Sequence, residues 1–151
     1  MALEQDMALL ARVPVFSQLN NDGLRLLAFS AESRMLDAGD ILFRAGEPSD
    51  GGYVVSKGGI ALMGSDGKPI GGLVLPDHLI GEMALITETF RPVTALAQVP
   101  SVVLKVSRAS FRRTLEEYPV IAQTLMRAMK ERITVLSQEL ARVKDSFQKP
   151  E

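Results

Sequence analysis

The residues with the clearest chemical potential lie in one short stretch, Leu79–Ile86, and at Arg91 shortly after it. Gly81 leads into a predicted helical turn, so the free N–H groups of Met83, Ala84 and Leu85 would point at one spot. The N-terminus of a helix attracts anions. Because an arginine ten residues after the glycine can fold back, it can offer phosphate a forked, charge-assisted contact. The stretch therefore predicts a phosphate site.

The carboxylate of Glu82 points to a ligand that is more than a phosphate. An ionised carboxylate only accepts hydrogen bonds, and a ribose hydroxyl is a suitable donor. Gly81, Glu82 and Arg91 together predict a pocket for a phosphorylated ribose. The alternatives are a local helix cap for Glu82 and a surface ion pair for Arg91.

The composition excludes much of the usual catalytic equipment. The 151 residues include no cysteine and one histidine, His78, and the formal net charge is -1. This excludes disulfides, Cys zinc sites, iron–sulfur clusters and thiol nucleophiles. A jelly-roll metalloenzyme needs several histidines, and a Ser–His–Asp triad would depend on His78 alone. We expect a binding protein rather than an enzyme, no metal or cofactor, and a structural, exposed His78.

The sequence is organised in three blocks that would position this stretch. Residues 1–32 carry apolar residues at helical spacing, with one helix over Ala2–Ala11 and a second that begins near Asn20. Residues 33–106 alternate short apolar runs with turn signals, which is typical of antiparallel strands. These runs are Ile41–Phe43, Tyr53–Val55, Ile60–Met63, Leu73–Leu75 and a half-buried strand over residues 102–107. The pattern predicts an α+β domain built on an antiparallel β-roll, which is jelly-roll-like.

The third block, residues 107–147, is predicted to be helical again. Ser107 is a plausible N-cap for a helix that ends near Glu117, and Pro119 suits the first turn of a long C-terminal helix over residues 119–147. Apolar residues recur there at alternating spacings of four and three: Ala122, Met126, Met129, Ile133, Leu136, Leu140, Val143 and Phe147. This heptad pattern predicts packing on the roll up to about Met129 and a parallel homodimer through residues 122–147. The alternative is an amphipathic helix that folds back onto its own domain.

Charge divides the chain unevenly. Residues 1–100 hold 7 basic and 12 acidic side chains, whereas residues 101–151 hold 10 basic and 6 acidic ones. The basic residues of the tail are interleaved with acidic ones, which favours a solvated helix face over a nucleic-acid surface. We expect no nucleic-acid partner and no membrane segment, because no apolar run reaches the length of a membrane span.

Several segments, in order, resemble the cyclic nucleotide-binding domain family, the sensor of catabolite activator-type regulators, cyclic nucleotide-dependent kinases and gated channels. The resemblance covers about Val13 to Arg132. Its matching segments are Val13–Leu19, Ala38–Asp50, Tyr53–Ile60, and Gly81–Thr87 with Arg91, the last being similar to the phosphate-binding cassette of the family.

The resemblance implies a role for each matching residue. Glu82 would accept the ribose 2′-hydroxyl, Arg91 would pair with the cyclic phosphate, and backbone amides from Gly81 to Ala84 would cap that phosphate. The long helix would close over the base. Its residues near the base would be Arg132, Leu136 and Ser137. The implied ligand is cAMP or cGMP.

Five positions depart from the family pattern, one of them Leu136, which stands where some members have a base-contacting threonine and which favours an apolar lid. Pro92 stands where nucleotide-binding members have Ser or Thr, so a hydroxyl and an amide donor are lost. Thr94 offers partial compensation only if the loop shifts, and Phe90 adds bulk at the rim. A usual Gly-Asp turn is replaced by Asp77 and His78, and aspartate tolerates the left-handed backbone that this turn needs.

Two functions fit these observations. The first is a stand-alone cytoplasmic cyclic nucleotide sensor that signals through its dimer or to a protein partner, with no room for a helix-turn-helix after Phe147. The alternative is a degenerate member that serves as a dimerisation or protein-interaction module with little nucleotide affinity, as Pro92 suggests. The Met1 start and the finished tail favour a complete small protein, a single domain over residues 1–151.

Overall fold

The computed structural model describes residues 2–120 and 122–131 of the chain. The helices are α1 Ala2–Ala11, α2 Asn21–Ser30 and α3 Arg108–Glu117, with a short 3-10 helix over Glu82–Leu85. The strands are β1 Glu32–Leu36, β2 Ile41–Phe43, β3 Gly51–Lys57, β4 Ile60–Met63, β5 Leu79–Ile80, β6 Thr94–Ala97 and β7 Ser101–Ser107. The predicted α+β class is confirmed.

Two antiparallel sheets form the roll. One has the strand order β1-β7-β3-β5 and the other the order β2-β6-β4. The predicted strand over Leu73–Leu75 is wrong: only Val74 pairs, in an isolated bridge to Ile60. Glycines at 71 and 72 and a proline at 76 confine this apolar run to three residues, so it cannot extend the ladder.

Strand β7 is buried on both faces, not on one as the alternation suggested. Val103 packs into a cluster inside the roll, where it meets Tyr53 and Val55. Leu104 and Val106 face the other way, into a second cluster formed with the helices. The helices cover the outer face of this sheet, so the strand separates two cores.

The predicted helix caps are present. The side chain of Asn20 accepts a hydrogen bond from the Gly23 amide at 2.8 Å, and that of Ser107 accepts one from the Ser110 amide at 3.1 Å. These side chains satisfy amides that have no partner within the first helical turn. Asp77 adopts the left-handed backbone expected for its turn, with φ of 72°.

The chain is helical again at residues 119–120 and 122–131. Leu125 and Met129 are buried against the helices and the outer face of the first sheet, which agrees with the predicted packing up to about Met129. Residues 132–147, which carry the rest of the heptad pattern and most of the predicted dimer segment, lie outside the described residues. In the part of the chain that the structure describes, no helix is long and apolar enough to cross a bilayer.

Candidate functional site

The 3-10 helix begins at a glycine because its entry needs a left-handed backbone. Gly81 has φ of 82° and ψ of 42°, a conformation that costs a side-chain-bearing residue about 1–2 kcal/mol. The N–H of Ala84 donates to the Gly81 carbonyl at 3.1 Å. The expectation that the Ala84 amide is free is therefore wrong, because the tight i→i+3 turn engages it.

Arg91 is held from both sides by backbone hydrogen bonds. Its N–H donates to the Glu47 carbonyl at 2.7 Å, and its carbonyl accepts from the Gly46 N–H at 2.8 Å. Its side chain points inward and the residue is 6% exposed. The backbone of Arg91 is therefore fixed on the loop between β2 and β3.

Aromatic rings and one carbonyl surround the guanidinium of Arg91. Its Cζ lies 4.3 Å from the ring centroid of Phe43 and 5.6 Å from that of Tyr53. Its Nη2 donates to the Gly51 carbonyl at 2.8 Å. Burial lowers the pKa of Arg91, but an arginine stays protonated in proteins. The roll thus holds a buried positive charge against flat, apolar rings.

Gly81 and Arg91 are in close contact. A Cβ atom on Gly81 would lie 2.7 Å from the Arg91 Nη1 atom. The absence of a side chain at position 81 is therefore what lets the guanidinium reach the backbone at the start of the 3-10 helix. The sequence placed this glycine and this arginine in one site, and the structure brings them together.

The described part of the chain brings no carboxylate into direct contact with this guanidinium. Among residues 2–120 and 122–131, no Asp or Glu oxygen lies within 4.0 Å of Arg91. Asp50, the nearby acid, bonds to Lys105 instead, with Oδ2 2.9 Å from Nζ. This hydrogen bond holds the pKa of Asp50 below its usual value. A buried charge is normally paired, so the arrangement is suited to an incoming anion.

The other predicted site residues differ in their surroundings. Glu82 is half-buried at the first position of the 3-10 helix, whereas Met83 is 47% exposed. The Met83 carbonyl accepts from the amides of Ile86 and Thr87, both at 3.1 Å. Ala84 is buried in the turn. The predicted base-side residues Arg132, Leu136 and Ser137 lie outside the described residues.

Thr94 does not replace the hydroxyl that Pro92 removes. Its Oγ1 atom accepts from the Ala45 N–H at 3.0 Å. The next residue, Ala95, faces the interior of the roll, and successive side chains of a strand point to opposite faces. Thr94 is therefore on the outer face, away from Arg91. Pro92 itself is exposed.

Sequence reasoning missed the aromatic partners and a nearby hydroxyl pair. Phe43 and Tyr53 were assigned only to strands, although they are two of the eight aromatic residues of the chain. The Ser49 and Thr89 hydroxyl oxygens lie 2.7 Å apart and join the two loops that flank Arg91. An inward-facing aromatic residue on each of two strands is a signal that could have identified the arginine's surroundings.

His78 is exposed, and its Nδ1 atom lies 3.1 Å from the Pro76 carbonyl and 3.3 Å from the Leu75 carbonyl. Both contacts lie within the turn that holds His78. This turn precedes β5 in the sequence, whereas the 3-10 helix follows β5. The structural interpretation of His78 agrees with this placement.

Comparison with known proteins gives a consistent result. The family model described as "Cyclic nucleotide-binding domain" matches residues 33–118. The structure of a cyclic nucleotide-binding-like protein from Brucella abortus is 42% identical with a TM-score of 0.66, over 74% of this chain and 97% of that one. The N-terminal domain of a transcriptional regulator from Streptomyces coelicolor is 30% identical with a TM-score of 0.76, over 87% of this chain and 94% of that one.

A curated relative shows the same region inside a longer protein. The cAMP-dependent protein kinase regulatory subunit of Eremothecium gossypii is 32% identical over 101 residues, which are 67% of this chain and 22% of that protein. The chain spans about a fifth of the length of the first curated relatives it matches. The family match includes all seven strands except the first residue of β1, together with the 3-10 helix and α3.

Proposed function

This chain belongs to the cyclic nucleotide-binding domain family, and on that premise we propose that the space beside Gly81 and Arg91 binds a cyclic nucleotide, cAMP or cGMP. Of the two nucleotides, cAMP stands in the name of the Eremothecium relative. The proposed role is regulatory binding rather than catalysis. The chain contains no cysteine, which fits a reducing compartment, and we propose the cytoplasm.

The observation that carries this proposal is the buried guanidinium of Arg91. It has neutral partners, Phe43, Tyr53 and the Gly51 carbonyl, and it abuts Gly81 where the 3-10 helix begins. A cyclic phosphate at this point would place a negative charge against the guanidinium through a charge-assisted contact. The half-buried Glu82 would accept a ribose hydroxyl.

The proline at position 92, where the family pattern has Ser or Thr, lowers the nucleotide affinity that we expect. A hydroxyl and an amide are absent there, and hydrogen bonds to charged groups contribute about 1.5–3 kcal/mol each. We therefore expect weaker binding than a Ser or Thr at this position would give, by roughly tenfold or more for each contact. Because Thr94 bonds to Ala45 on the outer face, it does not offset this loss.

Calorimetric titration with cAMP and cGMP tests the proposal. The wild-type chain should release or absorb heat with a saturable isotherm, and Arg91→Met should abolish it. Arg25→Met is the matched control because Arg25 is exposed on α2, and it should bind as the wild type does. Since Arg91 is buried, Arg91→Lys is measured too, with thermal unfolding to show that each variant is folded.

The second candidate is a degenerate member that acts as a dimerisation or interaction module with little nucleotide affinity. Pro92 favours it, whereas the contact between Gly81 and Arg91 favours the sensor. No heat up to millimolar cAMP or cGMP, with a folded wild-type chain, would contradict the sensor and leave the second candidate.

We further propose that output passes through a parallel homodimer of the heptad-patterned segment 122–147. The sequence pattern supports this part, and sedimentation velocity tests it. A dimer at micromolar concentration is expected, and a monomer would contradict it.

A further inference from the structure

Strand β1 is the end strand of its sheet, and one of its two edges has no strand beside it. Among the described residues its strand neighbour is β7, which pairs with every residue from Glu32 to Leu36. In that part of the chain, the backbone of residues 33–36 forms no hydrogen bond outside this pairing. An exposed edge of this kind offers unpaired N–H and C=O groups to a further strand.

Two opposite charges stand two positions apart on one face of this strand. Arg34 points towards the interior of the roll, where its Nη1 atom lies 3.4 Å from the Tyr53 hydroxyl oxygen. Because successive side chains of a strand point to opposite faces, Glu32 shares the face of Arg34. The two charged groups lie 4.0 Å apart, and the Glu32 side chain is largely exposed. The free edge therefore presents an acid and a base side by side.

The opposite face of β1 carries an exposed apolar side chain. Met35 is 84% exposed, the highest value among the large apolar residues of the described structure. It shares this face with Ser33, which carries no charge, although edge strands are commonly protected by charged side chains. The strand thus combines an open backbone edge, two complementary charges and an uncovered methionine.

We propose that β1 is an interface between two copies of this chain, which pair their β1 strands antiparallel about a two-fold axis beside Ser33. Glu32 of each copy then lies opposite Arg34 of the other, and Ser33 lies opposite Ser33. The two four-stranded sheets continue into each other across the axis. This interface is separate from the heptad-patterned segment 122–147, and it does not depend on nucleotide binding.

Symmetry and charge select this register. A two-fold axis perpendicular to the sheet passes beside one residue of the strand, which then faces its own copy. Centred on Glu32 or on Arg34, the pair would place two carboxylates or two guanidinium groups directly opposite each other, which is unfavourable. Centred on Ser33, it places unlike charges opposite each other twice, because an interface between identical copies repeats every contact. The charges of β1 therefore fit a second copy of the same strand.

The same register covers Met35. It places this side chain opposite Ala31 of the second copy, where the backbone is extended, with φ of -75° and ψ of 154°. Pairing can therefore continue one residue before β1. Ala31 packs against the core cluster formed with the helices, and its small side chain leaves room for a methionine. Met35 of one copy would thus extend the helix-side cluster of the other.

Charge exchange tests the interface by sedimentation velocity of the full chain. Glu32→Arg or Arg34→Glu alone places like charges opposite each other, so each should raise the dissociation constant of β1 pairing by roughly tenfold or more. An equimolar mixture of the two variants should associate again, because every arginine then meets a glutamate across the axis. Glu4→Arg is the matched control, since Glu4 is exposed on α1, and it should associate as the wild type does.

The measured mass separates this interface from the proposed heptad dimer. Segment 122–147 is identical in every variant, so its contribution to the mass is constant. At a concentration where the wild type associates, either single variant should have half the wild-type mass. Thermal unfolding shows that each variant is folded.

A disulfide tests the register itself. The chain has no cysteine, and residues that face each other in an antiparallel pair have Cα atoms about 4.5 or 5.5 Å apart, which a disulfide can span. Ser33→Cys should form a covalent dimer under mild oxidation and should lose it when Glu32→Arg is added. Ser65→Cys is the control, because Ser65 is exposed in the turn after β4, and it should cross-link far less.

Two results would overturn the proposal. One is a wild-type mass equal to that of folded Glu32→Arg at every concentration up to millimolar. The other is equal cross-linking of Ser33→Cys and Ser65→Cys. Either result would leave the edge of β1 to an extended segment of a different protein.

Discussion

The Arg91 guanidinium occupies the position that a side chain on Gly81 would need, with Nη1 2.7 Å from the site of a Cβ. The glycine and the arginine are ten residues apart in sequence, and the first permits both the left-handed entry to the 3-10 helix and the close approach of the second. A side chain at position 81 is therefore predicted to disturb both the left-handed turn and the placement of the Arg91 guanidinium.

Gly81→Ala should therefore destabilise the fold through two separable causes. The positive φ alone costs about 1–2 kcal/mol, and the overlap adds the cost of moving the far end of the Arg91 side chain away from its hydrogen bond to Gly51, about 1 kcal/mol. Gly39→Ala is the control, because Gly39 has φ of 91° with no atom within 4 Å of its Cβ position. Urea unfolding should show the larger loss for Gly81→Ala, together with lost nucleotide binding. Equal losses in the two variants would contradict the contact.

Pro92→Ser should increase affinity for a cyclic nucleotide. The serine restores an N–H and a hydroxyl beside Arg91, and each contact with a phosphate contributes about 1.5–3 kcal/mol. Pro92→Ala restores the N–H alone, so the pair separates the two donors. Calorimetry should give the largest dissociation constant for the wild type, a smaller one for Pro92→Ala and the smallest for Pro92→Ser. An unchanged constant in Pro92→Ser would place the phosphate elsewhere.

Phe43→Leu should weaken nucleotide binding as well as the fold. It removes the ring 4.3 Å from Arg91, and a cation–π contact contributes about 0.5–2 kcal/mol. Phe111→Leu serves as the control, because Phe111 is fully buried in the other core cluster. Both variants should lose similar stability in urea, whereas only Phe43→Leu should raise the dissociation constant, by roughly twofold to thirtyfold. Equal dissociation constants for the two variants would show that the Phe43 ring does not contribute to nucleotide binding.

Acid should weaken the fold partly through Asp50. The hydrogen bond from Lys105 lowers the folded-state pKa of Asp50 below the ordinary value of 3.8. Between the folded-state pKa and the unfolded-state pKa of Asp50, the unfolded chain binds more protons than the folded chain. The stabilisation from Asp50 is therefore fully present above about pH 3.8 and is lost as the pH falls through the lower folded-state pKa. Lys105→Met should flatten this part of the stability profile. If the free energy of unfolding depends on pH in the same way for the wild type and for Lys105→Met between pH 2 and pH 6, the assignment is contradicted.

Local sequence signals predicted local structure well. Asn20 and Ser107 cap their helices as expected, because a cap depends on a few neighbouring residues. The strand predicted at Leu73–Leu75 failed because the flanking glycines and proline leave only three residues, too few to extend a ladder. The half-buried assignment of β7 missed the core on its second face, where Val103 packs, because that core is built from residues elsewhere in the chain.

The candidate site shows the same division. The pattern from Gly81 to Arg91 indicated an anion site, and the two residues do meet. Its surroundings could not be predicted, since Gly51 lies 40 residues before Arg91 and Phe43 and Tyr53 come from separate strands. The engaged amide of Ala84 was also missed, because the sequence does not distinguish a 3-10 turn from the first turn of an α-helix.

The central claim is that a cyclic phosphate binds at Arg91, and phosphorus-31 NMR of cAMP and cGMP tests it most directly. Titration with the wild-type chain should shift or broaden the phosphorus resonance of at least one nucleotide in a saturable way. Arg25→Met should reproduce that change, and folded Arg91→Met should abolish it. A saturable change that persists unaltered in Arg91→Met, or no change with the wild type at millimolar concentrations, would contradict the claim.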